Sequence, residues 1–131
     1  MKFLKLIILG FVVCIAQVAC SDVVVSYSET TPISYNVQIP ALVSHGDKYE
    51  FIVETESNAI CHAGIAYYDK KNRWAIDEFQ NKIADETGVC KWNWEVPSNA
   101  KDGVGEFRGY VENDKRKTNL FPENFCIEIC P

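Results

Sequence analysis

The chain has 131 residues, 13 basic and 18 acidic side chains, a net charge of −5 and an apolar content of 47%. Its length suits one compact core. The acidic excess repels phosphate backbones and argues against nucleic acid as a partner.

The first 20 residues read as an export signal. Lys2 and Lys5 lead, residues 6–16 form an apolar run, and Val18-Ala19-Cys20 supplies small residues for a peptidase. That run is well short of the ~20 apolar residues a membrane-spanning helix requires, so the segment is expected to be removed. A single domain, residues 21–131, then remains with 11 basic against 18 acidic residues, a net charge of −7. Of six cysteines, Cys14 leaves with the signal and Cys61, Cys90, Cys126 and Cys130 form an even set in the body. Cys20 is the odd one, and an exposed thiol is disfavoured outside the cytosol. Either the cut falls beyond Cys20 or Ser21, or Cys20 becomes the lipid-bearing first residue of a bacterial lipoprotein. Val18-Ala19-Cys20 resembles the end of a lipobox, although Gln17 stands where that motif carries an aliphatic residue. Both routes place the protein outside the cytoplasm, secreted or anchored at the cell surface, and a lipid on Cys20 is its expected contact with a membrane.

The body reads as short strands separated by turn residues. Strands are expected at 22–28, 34–39, 48–54, 60–68, 89–96, 105–112 and 124–130, rich in Val, Ile, Tyr, Phe and Trp. Breaks fall at 45–47, 69–72, 86–88, 97–103 and 113–122, where polar residues, Gly and Pro accumulate. This spacing predicts an all-β sandwich of about seven antiparallel strands. Alternation assigns an interior to Tyr49, Phe51 and Val53, to Cys61, Ala63, Ile65 and Tyr67, to Cys90, Trp92, Trp94 and Val96, and to Phe107, Gly109 and Val111. Residues 73–84, with Trp74, Ile76, Phe79 and Ile83, fit either a covering strand or a short helical turn.

Disulfides are expected to staple this fold. In an extended strand Cys126 and Cys130 would lie ~13 Å apart, beyond the ~7 Å that a disulfide tolerates. The C-terminal strand is therefore expected to be tied to Cys61 and Cys90, unless the last residues curl.

Few residues announce chemistry. Neighbours on a strand point to opposite faces, so Cys61 and His62 read as a half-cystine beside an outward histidine, with no catalytic dyad. Zinc held by Cys61, His62, Cys126 and Cys130 lacks tight Cys-x-x-Cys spacing and competes poorly with disulfides in an oxidising space. His45 reads as a turn residue. Asp77-Glu78 and Asp85-Glu86 lack the ligand spacing of a calcium loop, and Lys115-Arg116-Lys117 reads as a solvated loop. No metal, cofactor or catalytic residue is expected. Trp92 and Trp94 read as core plugs. Trp74 follows a basic, loop-like stretch, and with Tyr68 and Phe79 it is the candidate aromatic contact patch.

Residues 48–111 resemble an immunoglobulin-like β-sandwich module found in exported bacterial proteins. The resemblance is carried by Val53-Glu54-Thr55 leading into Ala59-Ile60-Cys61, by Ala84-Asp85 with Gly88, by Trp92-Asn93-Trp94-Glu95-Val96, and by Gly103 before the next strand. In that family the Gly-led strand often ends in a second cysteine, a place held here by Val111. The resemblance implies that Cys90 and the C-terminal cysteines replace the usual pairing. It also implies an extracellular, non-catalytic unit. The leading expectation is a binding or accessory module that contacts a protein or glycan by surface complementarity through its edge or loops. A small secreted hydrolase with a carboxylate site, or a protease inhibitor presenting residues 97–103, are the competing expectations.

Overall fold

A computed structural model describes residues 31–131 of the chain. The export signal, Cys14, Cys20 and the strand expected at 22–28 lie outside the described residues. Among the described residues ten strands form: β1 (Asn36–Gln38), β2 (Leu42–Val43), β3 (Lys48–Glu54), β4 (Ile60–Tyr68), β5 (Trp74–Glu78), β6 (Lys82–Ile83), β7 (Val89–Glu95), β8 (Gly103–Asn113), β9 (Arg116–Asn119) and β10 (Glu123–Ile127). One sheet has the order β1-β3-β7. The other runs β2-β10-β8-β4-β5, with β6 also on β4 and β9 also on β8. Pairing is antiparallel throughout except where β2 lies parallel to β10.

This order is that of an immunoglobulin-like sandwich. The strands β1, β3 and β7 stand where A, B and E stand, and β10, β8, β4 and β5 stand where G, F, C and C′ stand. The expected strands at 48–54 and 60–68 form with those bounds. The ambiguous stretch 73–84 becomes β5 and β6, because Trp74, Ile76 and Glu78 alternate with Ala75 and Asp77 at the period of a strand. The segment 113–122, expected as a break, instead folds back at Asp114 (φ 55°) and pairs β9 with β8.

The alternating residues meet between the sheets. Phe51, Val53, Cys61, Ile65, Cys90, Trp92, Trp94, Phe107 and Val111 are all buried. Phe51 of β3 stacks on Phe107 of β8 across the gap, with ring centroids 5.5 Å apart, and also packs against Phe79, Trp94 and Phe125. Buried indoles need hydrogen-bond partners. Trp92 Nε1 donates to the Gln80 carbonyl at 2.8 Å and Trp94 Nε1 to Asp77 Oδ2 at 2.9 Å. The tryptophans are thus core plugs, as their alternation predicts. Gly88 is required at its turn: it adopts φ +81°, and a Cβ there would lie 2.0 Å from the Thr55 carbonyl oxygen.

The expected cysteine pairing is corrected. Cys61 bonds Cys90, with Cα atoms 6.5 Å apart, and Cys126 bonds Cys130, with Cα atoms 5.7 Å apart. The extended-strand argument fails because β10 stops at Ile127. Glu128 then takes a left-handed φ of 59°, and the Ile129 amide closes on the Ile127 carbonyl at 2.8 Å, curling Cys130 back to Cys126. The inner bond joins β4 to β7 and so links the two sheets. In antibody domains that link joins strands B and F. Here the corresponding β3 and β8 carry Val53, registered beside Cys90, and Val111, registered beside Cys61. The cross-link has moved one strand over in each sheet.

Candidate functional site

Strand parity places a second set of side chains on the outer face of the β5-β4-β8-β10 sheet. These are Trp74, Ile76 and Glu78 from β5, His62 and Tyr68 from β4, and Glu106, Arg108, Tyr110 and Glu112 from β8. Register then sets the neighbours. Tyr68 is opposite Trp74, Glu78 opposite Gly64, Gly64 opposite Arg108, and His62 opposite Tyr110.

Tyr68 and Trp74 form an exposed pair at one end of this face. Their rings meet edge to face at 4.8 Å, and they remain 51% and 46% exposed. The Arg108 guanidinium sits 5.9 Å from the Trp74 ring centroid while Nε and Nη2 donate to Glu106 at 3.1 and 2.9 Å. At the other end Tyr110 is sandwiched. His62 stacks on it at 4.1 Å and Lys117 Nζ lies 4.1 Å from its centroid, while His62 Nε2 meets Glu112 Oε1 at 2.8 Å. Between the two ends runs an open groove of about 510 Å³, crossing the strands over Gly64 and bordered by Ile76, Glu78, Arg108, Tyr110, Asn119 and Pro122.

The structure therefore brings together two of the three expected patch residues. Phe79 is set apart: β5 ends at Glu78, and the Phe79 ring turns into the sandwich to stack on Trp92 at 5.8 Å, with its rim at the groove. Arg108 was missed as a member. The signal that could have found it is its outward parity on β8, but its position beside Trp74 depends on the pairing of β8 with β4.

The hairpin that presents Tyr68 and Trp74 is built around Asp69. Its Oδ1 accepts from the amides of Lys71 and Arg73, each at 2.9 Å, and its Oδ2 accepts from Arg73 Nε at 2.9 Å. The Arg73 amide leads in holding the carboxyl below its ordinary value of 3.8, against the opposing effect of burial. Asp85 organises the turn before β7 similarly. It accepts from the Thr87 hydroxyl at 2.7 Å, which leads the lowering of its pKa, and from the Val89 amide at 3.0 Å. Both folded-state values lie below the unfolded ones. Their stabilisation is therefore complete above the unfolded value and is lost as pH falls through the folded one. Urea midpoints should fall on acidification below about pH 4. Asp69→Asn with Asp85→Asn should be less stable at neutral pH and show a flatter acid limb; an acid limb as steep as wild type would refute this assignment.

Other singled-out residues have structural roles here. Residues 97–103 are tied to the β4–β5 hairpin, although Ser98, Asn99, Lys101 and Asp102 are exposed. Ala100 is buried, Lys101 donates its amide to the Tyr68 carbonyl at 2.8 Å, and Asp69 bridges to Ala100. His45 ties three segments together: its amide donates to Glu128 Oε1 at 2.6 Å, its Nδ1 lies 3.1 Å from the same oxygen, and its Nε2 lies 2.7 Å from the Ala100 carbonyl oxygen. Cys61 faces the disulfide while His62 faces outward. Of the basic run, Arg116 Nη1 donates to Glu56 Oε1 at 3.0 Å, and this guanidinium is the main cause of the lowered Glu56 pKa. Among the described residues no cluster of three or more His, Cys, Asp or Glu is placed to hold a metal ion.

The fold and this face define an immunoglobulin-like domain with a strand-mounted aromatic surface. No protein-family model matches the sequence, and no curated protein sequence matches it. Among solved structures the chain is similar to the CARDB domain of the PF1109 protein from Pyrococcus furiosus, described in complex with di-metal ions. The TM-score is 0.39 at 12% identity, with 76% of this chain and 90% of that chain covered.

Proposed function

We propose that this protein is an extracytoplasmic, non-catalytic binding module that contacts a protein or glycan through the outer face of its larger sheet. The observation that carries this reading is the exposed Tyr68–Trp74 pair with Arg108 beside it. Trp, Tyr and Arg dominate the energetics of recognition surfaces because they offer large contact area with a polar handle. Here they stand on paired strands, so little ordering entropy is lost on binding. Two disulfides support a location in an oxidising compartment. Retention through a lipid on Cys20, or release by cleavage beyond it, would equally expose the sheet to partners.

The test is a screen of the labelled, disulfide-bonded protein against immobilised polysaccharides and extracellular proteins, repeated with Trp74→Ala. Loss of a buried hot-spot tryptophan should weaken any true contact by about 2 kcal/mol or more, at least thirtyfold. Trp74 is half exposed, so the melting temperature should change little. Contacts that survive Trp74→Ala at full strength would sink this reading.

A further inference from the structure

We infer that a second copy of this chain adds antiparallel to the β5 edge, joining the two larger sheets into one continuous sheet through a two-fold axis at Ile76. The inference is independent of the ligand reading above.

The hydrogen-bond phase of the β4–β5 hairpin carries the argument. The Asp69 amide donates to the Arg73 carbonyl at 2.9 Å, and the Phe79 amide to the Ala63 carbonyl at 2.9 Å. In an antiparallel ladder, hydrogen-bonded pairs alternate with non-hydrogen-bonded ones. Residues 73, 75, 77 and 79 therefore spend their backbone groups on β4. Trp74, Ile76 and Glu78 point theirs away from it, and among the described residues no strand lies beyond β5. The same three residues present their side chains on the outer face.

Other edges are short or protected. β1 has three residues and β2 has two, flanked by Pro40. β7 carries Lys91, and the connection at Gln80 and Lys82 packs against it through Trp92 Nε1 and Cys90 Sγ. β5 contains neither Pro nor Lys, and of its two charged residues Asp77 turns inward to accept from Trp94 Nε1 at 2.9 Å while Glu78 is the last residue of the strand.

The occupant follows from self-complementarity. The chain is basic entering β5, with Lys70, Lys71 and Arg73, and acidic leaving it, with Asp77 and Glu78. Antiparallel pairing of two copies sets each basic end beside the other's acidic end. Side chains on paired strands must share a face, and the register that joins the most free backbone groups opposes Ile76 to Ile76 and Trp74 to Glu78. Apolar then meets apolar on the axis, and Glu78 of one copy comes opposite Trp74 of the other. Such an interface is isologous and closed. It also places two Tyr68–Trp74 pairs on one surface, so a repetitive partner would be gripped at two points.

Sedimentation equilibrium of the disulfide-bonded protein tests this, with a reversible monomer–dimer equilibrium expected. Ile76→Pro removes only an outward amide and should abolish the dimer with both disulfides intact. Ile76→Lys does the same should the proline variant fail to fold. Positively, Ile76→Cys should cross-link to itself, since the Cα atoms of a directly opposed, hydrogen-bonded pair lie ~5.5 Å apart. Trp74→Cys alone should not, because its opposite number is Glu78. Wild type that stays monomeric to millimolar concentration, a dimer unaffected by both Ile76→Pro and Ile76→Lys, or equal cross-linking at 74 and 76 would overturn the inference. Saturable binding of an unrelated extended peptide to a strictly monomeric chain would reassign the edge to another partner and overturn it too.

Discussion

Replacing Cys61 and Cys90 together by alanine should cost about 3–4 kcal/mol, roughly 15–25 °C in melting temperature for a domain of this size. The bond spans 29 residues and joins β4 of one sheet to β7 of the other. Without it the unfolded chain regains the freedom of a long loop, and the two sheets lose the one disulfide described between them. Cys126→Ala with Cys130→Ala opens a loop of separation four, for which chain entropy alone gives about 2 kcal/mol. That variant should fail locally: uncurling the chain withdraws Glu128 from the His45 amide. Urea titration of both oxidised double variants measures the difference, and peptide mapping reads the pairing directly. An outer pair as stabilising as the inner one, or a fragment linking Cys90 to the C-terminus, would refute the assignment.

Phe51→Ala should destabilise by about 3–5 kcal/mol. Phe51 is fully buried and meets four other rings, from both sheets and from the connection after β5. Removing it takes away the burial of a large aromatic side chain and leaves a void that a disulfide-linked sandwich cannot easily collapse. Set against the 5–15 kcal/mol typical of a whole domain, that loss brings the protein close to unfolding at about 37 °C. Phe51→Leu refills part of the volume and should cost less. The near-ultraviolet signal of Trp94, whose ring meets Phe51 at 80°, should weaken in Phe51→Ala. A midpoint within about 1 kcal/mol of wild type would show that the sheets do not close around this ring.

The order of effects reflects how the interior is organised. Where antibody domains join strands B and F covalently, this protein places Val53 beside Cys90 and Val111 beside Cys61, and stacks Phe51 on Phe107. The covalent and aromatic links lie in neighbouring strand pairs, so each resists shear of the sheets independently.

Long strands were legible because alternation in Tyr49-Glu50-Phe51-Ile52-Val53-Glu54 and Cys90-Lys91-Trp92-Asn93-Trp94-Glu95 separates a buried row from a wet one at period two. Short pieces were not. Leu42–Val43 has too few residues for any period, and Arg116–Asn119, with one charge after another, reads as loop until β8 offers it a partner. The C-terminal pairing was not legible because a long-range contact reverses the chain there. A non-glycine residue, Glu128, takes a left-handed conformation, and what holds it is its contact with His45, 83 residues away in sequence. At the candidate site the Tyr68–Trp74 pair was within reach, since the two flank one tight hairpin. Arg108 and Tyr110 were not, because only the β4–β8 register brings them beside Trp74 and His62.

By itself the amino-acid order determined the strand-rich class, the inward rows and the buried indoles, because these follow from periodicity and burial preference. Which cysteine meets which, where Phe79 turns, and which cation stands over the exposed tryptophan were decided only when the sheets faced each other. Those outcomes depend on register between strands far apart in the chain, and register is a property of the packed whole.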